Sequence, residues 1–252
     1  MKPIILVPFD TETNGIPDWK TPSNDPAQPH IVTLAALKVD EETLEIKDRL
    51  DLIVKPDGWY WDEDCEAFKK HGITMEYAME HGIPEADAVN QFIEFWAGCD
   101  YRIAYNTTFD NRIIRIALKR YHPELVDIWK DGPYKCTSLL AQKNLKLSKR
   151  PKLEAAYLTY TGKELEGAHN AMNDTMACLD VYRGILGKAK KEEKVPAQIM
   201  GLDDLFTFGK HLNEQLEDVI EDNPDYIEWL IKNDVVIFDE EALEFISKKA
   251  IA

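Results

Sequence analysis

Two carboxylates close to the N-terminus have the spacing of a metal-binding pair. Asp10 and Glu12 lie in the stretch FDTETNG at residues 9–15, which continues the apolar run PIILVP. This run predicts a buried strand. Side chains at positions i and i+2 of a strand point to the same side, so both carboxylates can face one cation. Without a cation, two adjacent carboxylates beside an apolar strand would repel each other and lower stability.

The same stretch also matches the first half of a calcium-binding EF-hand loop, in which oxygen ligands alternate and a glycine follows. The twelfth loop position, a bidentate glutamate in EF-hands, would be Thr21 in this chain. A strand rather than a helix is predicted before the loop, and Pro17 lies inside it. These departures disfavour a calcium loop, and the carboxylate pair must find its partners elsewhere in the chain.

A third acid occurs at the start of a predicted helix. In the stretch YNTTFDNRII, Asp110 shares a helical stripe with Ile113, Ile114 and Ala117, the face that we expect to turn towards a sheet. An acid there can point at the carboxyl ends of the strands, where the sites of α/β proteins gather. The alternative is an acid that only stabilises the N-terminus of its helix.

The stretch GAHNAMND adds a histidine and a fourth acid. His169 and Asp174 are five residues apart and cannot share one helical face, so we expect His169 on a loop that folds back. Asn170 is a candidate N-cap, and Asp174 follows in the first turn of the helix. Three separate elements would thus bring acids towards one point. Oxygen ligands of this kind suit Mg²⁺ or Mn²⁺.

The elements that must position these residues alternate in type. Strands are predicted at residues 4–9, 31–39, 46–54 and 101–105, and helices at 63–71, 85–97, 109–121 and about 171–186. This order predicts a mixed sheet with helices packed on it. Pro8 lacks an amide proton, so we expect a bulge or an unpaired position in the first strand. Four prolines within residues 15–29 predict a long loop.

A formal charge of −16 argues against a nucleic-acid-binding surface that covers the whole protein. This charge still allows an enzyme that binds the sugar-phosphate backbone of a nucleic acid through metal ions and a local basic patch. One patch of five cations lies within ten residues, although a solvated charged face is an equally simple interpretation. Its members are Lys143, Lys146, Lys149, Arg150 and Lys152.

The chain shows no apolar run near the roughly 20 residues of a membrane span, and its N-terminus lacks a signal-peptide layout. The four cysteines have neither CxxC nor zinc spacing, which predicts reduced thiols. We therefore expect a cytoplasmic protein that does not bind membranes.

The character of the chain changes near its C-terminus. We predict a first domain at residues 1–187, a linker at 188–202 and a small α-rich module at 203–252. Asn223 and Pro224 have the pattern of an N-cap and first helical residue, and Asp239 precedes a last helix. A small core of Tyr226, Trp229 and Leu230 is favoured over an aromatic nucleic-acid platform.

The ordered set of motifs resembles the DEDDh 3′→5′ exonucleases of the RNase H-like fold. FDTET resembles their first motif, NTTFDNRII their second and HNAMNDT their third, and HGIT at residues 71–74 is also similar. The resemblance covers about residues 4–186. Beyond it, FTFGKHLNEQLEDVIEDNPDYIEWL resembles the C-terminal module of exonuclease X-type proteins, with Phe208, Gly209 and Lys210 among the matching positions.

This resemblance implies an α/β fold with a mixed five-stranded sheet and helices on both faces. It also implies two Mg²⁺ or Mn²⁺ ions held by Asp10, Glu12, Asp110 and Asp174, with His169 as the base that activates water. The implied reaction releases nucleoside 5′-monophosphates from the 3′ end of DNA, with single-stranded DNA at the site. Implied contacts to the substrate come from Thr13, Asn14, Asn106 and Phe109.

Two alternatives remain at this point. An exonuclease that trims RNA would need the same acids and differ only in the pocket that faces the sugar. A non-catalytic protein could retain a nuclease fold for interactions, but the presence of all five motif residues disfavours it.

Overall fold

The computed structural model describes residues 4–187, 198–206, 211, 214–232 and 236–249. The chain divides into two compact units, Met1–Lys190 and Lys191–Ala252. The strands of the first unit are β1 (Ile5–Thr13), β2 (Ile31–Asp40), β3 (Ile46–Lys55), β4 (Ile83–Pro84), β5 (Tyr101–Ala104) and β6 (Tyr134–Cys136). Its α-helices are α1 (Phe68–His71), α2 (Met75–His81), α3 (Glu85–Trp96), α4 (Thr107–Tyr121), α5 (Val126–Asp131), α6 (Thr137–Asn144), α7 (Leu153–Thr161) and α8 (Ala171–Ile185).

The sheet of the first unit has the strand order β4-β3-β2-β1-β5-β6. Strands β1, β2 and β3 form an antiparallel meander, whereas β5 runs parallel to β1 and β6 parallel to β5. The predicted mixed sheet is confirmed, but it has six strands rather than five. The additional edge strand, β4, has only two residues, which is too short to produce a strand pattern in the sequence.

Helices cover both faces of this sheet, as predicted. Because side chains alternate along β1, Val7 and Phe9 pack in one core cluster with residues of α3, α4 and α5, including Trp129. On the other face Leu6 packs in a second cluster with Leu179 of α8. Strand β1 therefore lies in the middle of the unit, buried on both sides.

Pro8 has no partner on β2, which agrees with the predicted unpaired position, but it is paired on its other edge. Strand β1 keeps one register with β2 from Ile5–Asp40 to Glu12–Thr33, and Pro8 pairs with Ile103 of β5 instead of with β2. The register shifts only at the other end of β1, between Glu12 and Thr13.

The proline-rich segment between β1 and β2 is an ordered loop. Gln28 is buried, and its side chain accepts a hydrogen bond from the amide of Asp18 (3.1 Å) and donates to the Asp18 carbonyl oxygen (2.9 Å) and to Thr21 Oγ1 (2.8 Å). From α4, Arg120 Nη1 donates to the carbonyl oxygen of Pro29 (3.0 Å). Side-chain contacts thus replace the backbone ladder that a loop lacks.

The predicted helices agree unevenly with the structure. Helices α3, α4 and α8 lie close to their predicted ranges, whereas the helix predicted at 63–71 is reduced to the four residues of α1. Among the described helices, none combines the length and the apolar composition needed to cross a membrane. The four cysteines are free thiols, as expected.

The second unit contains β7 (Gln198–Met200), α9 (Leu216–Asp222), α10 (Pro224–Lys232), β8 (Val236–Phe238) and α11 (Glu240–Lys249), with β7 and β8 parallel. Residues 198–202, assigned to the linker from the sequence, thus contribute a strand and its following turn to this unit. Helix α10 begins at Pro224 as predicted, and Asp239 Oδ1 accepts a hydrogen bond from the amide of Ala242 (2.8 Å).

The core of the second unit only partly follows the prediction. Leu230 is fully buried, but Trp229 is 47% exposed and stacks on Tyr226 with ring centroids 6.0 Å apart. Buried residues from other elements, including Phe206 and Phe238, complete this core. Phe208, Gly209 and Lys210 lie outside the described residues.

Candidate active site

Asp10 and Glu12 lie near the carboxyl end of β1, opposite Ala35 and Thr33 of β2. Their two-residue spacing places both carboxylates on the same side of the sheet. Strand β5 pairs with β1 at Leu6–Pro8, and β2 continues the pairing past Asp10 to Glu12. The pair therefore projects from a rigid element.

Asp110 is tied directly to the same strand. Its carboxylate oxygen Oδ1 accepts hydrogen bonds from the backbone amide (3.2 Å) and the hydroxyl (2.9 Å) of Thr11, the residue between Asp10 and Glu12. Asp110 is only 3% exposed, in the first turn of α4. These hydrogen bonds hold the start of α4 against the end of β1. This agrees with the prediction that the apolar face of α4, which includes Asp110, turns towards the sheet.

His169 and Asp174 come from the start of α8 and the loop before it. Asn170 caps the helix by accepting a hydrogen bond from the amide of Asn173 (3.0 Å), as predicted. His169 has a φ of 71°, a left-handed backbone conformation that residues other than glycine seldom adopt. Its amide donates to Asp174 Oδ2 (3.3 Å), so the loop folds back over the helix start.

Three of these side chains could share one cation. A possible ligand atom from each of Glu12, His169 and Asp174 lies within 4.8 Å of the other two. Asp174 Oδ1 is buried and has no hydrogen-bond partner among the described residues. Since buried carboxylate oxygens are nearly always paired, this atom fits a site completed by a ligand.

The acids raise one another's pKa. Burial first, and then the charges of Asp110, Glu12 and Asp174, hold the pKa of Asp10 well above its usual range. Burial, with Asp174 and Asp110, raises the pKa of Glu12 to about 8, and the charge of Lys70 opposes this rise. Ionisation of all four carboxylates at once is therefore energetically unfavourable.

Asp110 and Asp174 behave in the same way. Burial raises the pKa of Asp110 to about 7 against the opposing hydrogen bonds from Thr11. Burial also raises the pKa of Asp174 to about 7, against its hydrogen bond from the His169 amide. Hard divalent cations would relieve this repulsion, and a set of carboxylate oxygens is the donor chemistry that Mg²⁺ and Mn²⁺ prefer. The residues present fit such a metal centre.

A cleft of about 490 Å³ opens beside His169 and Asp174. Asn106, predicted as a substrate contact, lines this cleft, as do Arg150 and Lys152 of the predicted basic patch. The remaining patch members, Lys143, Lys146 and Lys149, are exposed but do not line it.

The other predicted substrate contacts have protein partners. Thr13 is buried, and its hydroxyl donates to the carbonyl oxygen of Gly15 (2.7 Å). Asn14 Nδ2 donates to the carbonyl oxygen of Tyr60 (3.1 Å), and Asn14 Oδ1 accepts from the amide of His30 (2.7 Å). Phe109 packs partly against the core cluster on the Val7 face.

Sequence reasoning missed several residues that line the cleft. Lys70, Tyr105 and Ser138 come from three different parts of the chain, and only Tyr105 lies beside an acid motif, as the first residue of YNTTFDNRII. The signal that could have found Lys70 is its position directly before the HGIT stretch. The contacts of Tyr105, whose hydroxyl donates to the carbonyl oxygen of Pro151 (2.8 Å), have no signature in the sequence.

Comparison with curated proteins and solved structures supports the same interpretation. Exodeoxyribonuclease 10 from Escherichia coli strain K12 is 26% identical over 236 residues, which cover 89% of this chain and 90% of that protein. A zinc-bound complex of E. coli exonuclease I with single-stranded DNA matches with a TM-score of 0.59 and 21% identity, over 74% of this chain and 41% of that one.

A moderately thermophilic exonuclease I from Methylocaldum szegediense matches with a TM-score of 0.54 and 24% identity, over 75% of this chain and 41% of that one. The present chain thus spans about two fifths of the exonuclease I chains, and these likenesses establish the fold. The first unit has the fold of exonuclease I, as the resemblance to RNase H-like exonucleases implies.

Two family models match the chain. The model of exodeoxyribonuclease X-like C-terminal domains matches residues 206–235, within the second unit. The RNase T exonuclease model matches residues 7–182, a span that includes all four acids and His169. The chain is therefore a member of the RNase T exonuclease family.

Proposed function

We propose that this protein is a metal-dependent 3′→5′ exonuclease that hydrolyses phosphodiester bonds at the 3′ end of DNA and releases nucleoside 5′-monophosphates. The observation that carries the proposal is the convergence of four acids and His169 near the end of β1, with Asp110 buried and the other three acids partly buried. The name of the E. coli relative and the single-stranded DNA in the exonuclease I complex favour DNA as the substrate.

Asp10, Glu12, Asp110 and Asp174 would hold two Mg²⁺ or Mn²⁺ ions, which would stabilise negative charge on the attacking and leaving oxygens of an in-line displacement. The protein's own contribution is positional. The two hydrogen bonds from Thr11 hold Asp110 beside β1, and the His169 amide orients Asp174. The cluster is thus organised before a substrate binds.

His169 acts as the general base in this proposal. An imidazole nitrogen takes a proton from the attacking water, because histidine changes its charge near neutral pH. The water oxygen bonds to phosphorus, and the bond from phosphorus to the 3′ oxygen of the preceding nucleotide breaks. That 3′ oxygen takes up a proton from solvent, and the terminal nucleotide leaves with a 5′-phosphate.

The cleft would hold the 3′-terminal nucleotide. Asn106 lines it and offers an amide to the sugar or base, while Arg150 and Lys152 bring positive charge to a strongly acidic protein. Thr13, Asn14 and Phe109 are further proposed contacts. For Thr13 and Asn14, the described side-chain bonds mean that they would act chiefly by shaping the turn after β1.

The test is release of mononucleotides from labelled single-stranded DNA, duplex DNA and single-stranded RNA with Mg²⁺ or Mn²⁺. We expect hydrolysis of DNA that stops on chelation and falls by at least about 10²-fold in Asp10→Ala and His169→Ala. The matched controls are His122→Ala and Asp127→Ala, which repeat the spacing of His169 and Asp174 elsewhere on the surface and should retain activity.

Three outcomes contradict the proposal in different ways. If hydrolysis persists in the Asp10→Ala variant or after chelation of the metal ions, the four acids are not the catalytic site. Release from RNA but not from DNA supports the exoribonuclease alternative. A lack of hydrolysis with any substrate leaves only the non-catalytic interpretation.

A further inference from the structure

Lys70 is a cation of the cleft to which the proposed reaction assigns no role. It lies at the end of α1 and lines the cleft together with Asn106, His169 and Asp174. Its charge also reaches the acids, because it counteracts the effect of burial and of the neighbouring carboxylates on the pKa of Glu12. Lys70 therefore faces the space that a substrate would share with the metal-binding acids.

The residues after Lys70 fix its place on the wall of the cleft. His71 is 3% exposed, and its Nδ1 accepts a hydrogen bond from the amide of Ile73 (3.0 Å). The indole of Trp61 donates to the carbonyl oxygen of Ile73 (3.1 Å), and Gly72 ends the helix with a φ of 66°. The backbone is thus anchored in a small aromatic core, although α1 has only four residues.

The side chain of Lys70 is exposed and available to a ligand. Its neighbour Lys69 forms an ion pair with Glu66 (3.0 Å), but Lys70 makes no hydrogen bond or ion pair with the residues that the structure describes. An ammonium group offers three donors and commonly binds phosphate as a point charge. Lys70 lines the cleft with Asp174 and acts electrostatically on Glu12, but it forms no ion pair with either acid, so its ammonium group can bind an anionic ligand.

The charge balance of the cleft points to the same ligand. A nucleic-acid strand carries one negative charge per phosphate, and the two acids that line the cleft, Glu154 and Asp174, repel it. Arg150 and Lys152 counter this repulsion from the segment before α7, about 80 residues further along the chain. Lys70 is the cation that lines the cleft from the α1 side.

We propose that Lys70 is a substrate-contacting residue whose Nζ binds a phosphate of the nucleic-acid strand in the cleft. This inference rests on the proposed function, because the ligand is the strand whose 3′ end is hydrolysed. It adds a residue that no acid motif contains, and it predicts an effect on substrate affinity rather than on metal binding.

The first test compares Lys70→Met with Lys69→Met, a matched control because Lys69 is exposed, adjacent and outside the cleft lining. Fluorescence anisotropy with a single-stranded DNA oligonucleotide, in the presence of a chelator, gives the dissociation constant across a range of salt concentrations. We expect Lys70→Met to weaken binding. The logarithm of the association constant should also fall less steeply with the logarithm of the salt concentration, with a slope smaller in magnitude by about 0.7, the value for one phosphate on a single strand. Lys69→Met should leave the slope unchanged.

The second test uses steady-state hydrolysis with a metal ion present. We expect Lys70→Met to lower kcat/KM by about tenfold, chiefly through KM, and Lys70→Arg to recover most of this loss because it keeps the charge. Product inhibition by thymidine 5′-monophosphate, compared with thymidine, shows whether the contacted phosphate is the one that is released. Oligonucleotides with one methylphosphonate linkage further upstream locate the contact if it is not.

The outcomes separate this inference from the proposed function. If wild-type protein binds DNA but hydrolyses neither DNA nor RNA, the proposed function fails and the salt slope still decides the role of Lys70. Equal salt slopes and equal kcat/KM for Lys70→Met and Lys69→Met would overturn the inference, as would wild-type protein that binds no oligonucleotide. Because Lys70 is exposed, its replacement should not disturb folding, and thermal unfolding of each variant checks this.

Discussion

The four acids near the end of β1 hold charge that the folded protein accommodates poorly on its own. Burial raises the pKa of Asp10 and of Asp110, and the charges of neighbouring carboxylates add to the rise. In the unfolded chain the same groups ionise freely near pH 4. The protein therefore carries a local strain that depends on both pH and metal ions.

This strain predicts how the metal-free protein responds to pH. A carboxyl with a raised pKa binds more protons in the folded than in the unfolded state, so the free energy of unfolding falls as pH rises between the two pKa values. The pKa values of about 7 for Asp110 and Asp174 and about 8 for Glu12 place the loss at about pH 4 to 8. Denaturant unfolding with EDTA should show decreasing stability across this window, and Mg²⁺ should remove most of the decrease.

Two controls make that result specific. Burial lowers the pKa of His71 to about 4, which lowers stability as pH falls and does not involve the metal, so the difference with and without Mg²⁺ isolates the acids. Asp10→Asn removes one charge with little change in shape, and it should stabilise the metal-free protein at pH 8. A stability that is independent of Mg²⁺ at pH 8 would contradict the metal centre.

At this scale the sequence indicates which acids the fold brings together, but it says little about their surroundings. Asp10, Glu12, Asp110 and Asp174 stand out because each interrupts an apolar pattern at the end or start of an element. Lys70 interrupts no pattern, and its place in the cleft depends on contacts between distant segments. Such contacts leave no periodic signal in a single sequence.

Among the elements, the loop between β1 and β2 begins directly after the acid pair and joins the end of β1 to the start of β2. It is long and rich in proline, and its backbone is held by one buried side chain, Gln28, and by arginines of α4. Loops of this length are usually mobile unless their polar groups find partners. The hydrogen bonds between Asn14 and His30 join the two ends of the loop directly after the acid pair.

Replacement of Gln28 by alanine tests this support. Gln28→Ala removes the hydrogen bonds that this buried side chain donates to Asp18, Thr21 and Pro22 and the acceptor of the Asp18 amide, so we expect a loss of about 1–3 kcal/mol in the free energy of unfolding, measured by denaturant titration. The matched control is Gln142→Ala, because Gln142 donates only one exposed hydrogen bond, to the Leu147 carbonyl oxygen (3.3 Å). Equal losses in the two variants would show that the loop is held by its prolines alone.

The strength of the apolar pattern in each element explains which elements can be predicted from the sequence. Helices α3, α4 and α8 have long apolar stripes, and β2 is almost entirely buried, so their patterns are strong. Strand β4 has two residues and helix α1 has four, so each spans about one period of its pattern and gives no repeating signal. Their positions are set by packing against neighbours, which only the folded structure reveals.

The whole molecule consists of two units with separate cores. The first unit contains every residue of the cleft, and the second has its own buried cluster that includes Met200, Phe206 and Leu230. We propose that residues 1–187 form the catalytic domain and that 203–252, together with β7, form an auxiliary module. Units with complete cores can in general fold alone.

A chain that ends at residue 190 tests this division. It should fold, since its core is complete, and it should release mononucleotides with kcat/KM within about tenfold of the full chain. The measurements are thermal unfolding and the mononucleotide assay, beside a full-length sample from the same preparation. An insoluble or inactive fragment would show that the first unit depends on the second.

The register shift beside Glu12 makes the pairing of β1 and β2 sensitive to length as well as to composition. At this shift Val32 has no partner on β1, and it packs instead with Trp61, Ile73 and Ala78 in the cluster that anchors the end of α1. Exchange of Val32 for another apolar residue preserves that arrangement, whereas loss of the residue would slide the rest of β2 and detach the cluster. Natural variation among related chains should therefore tolerate substitution at this position far more readily than an alignment gap.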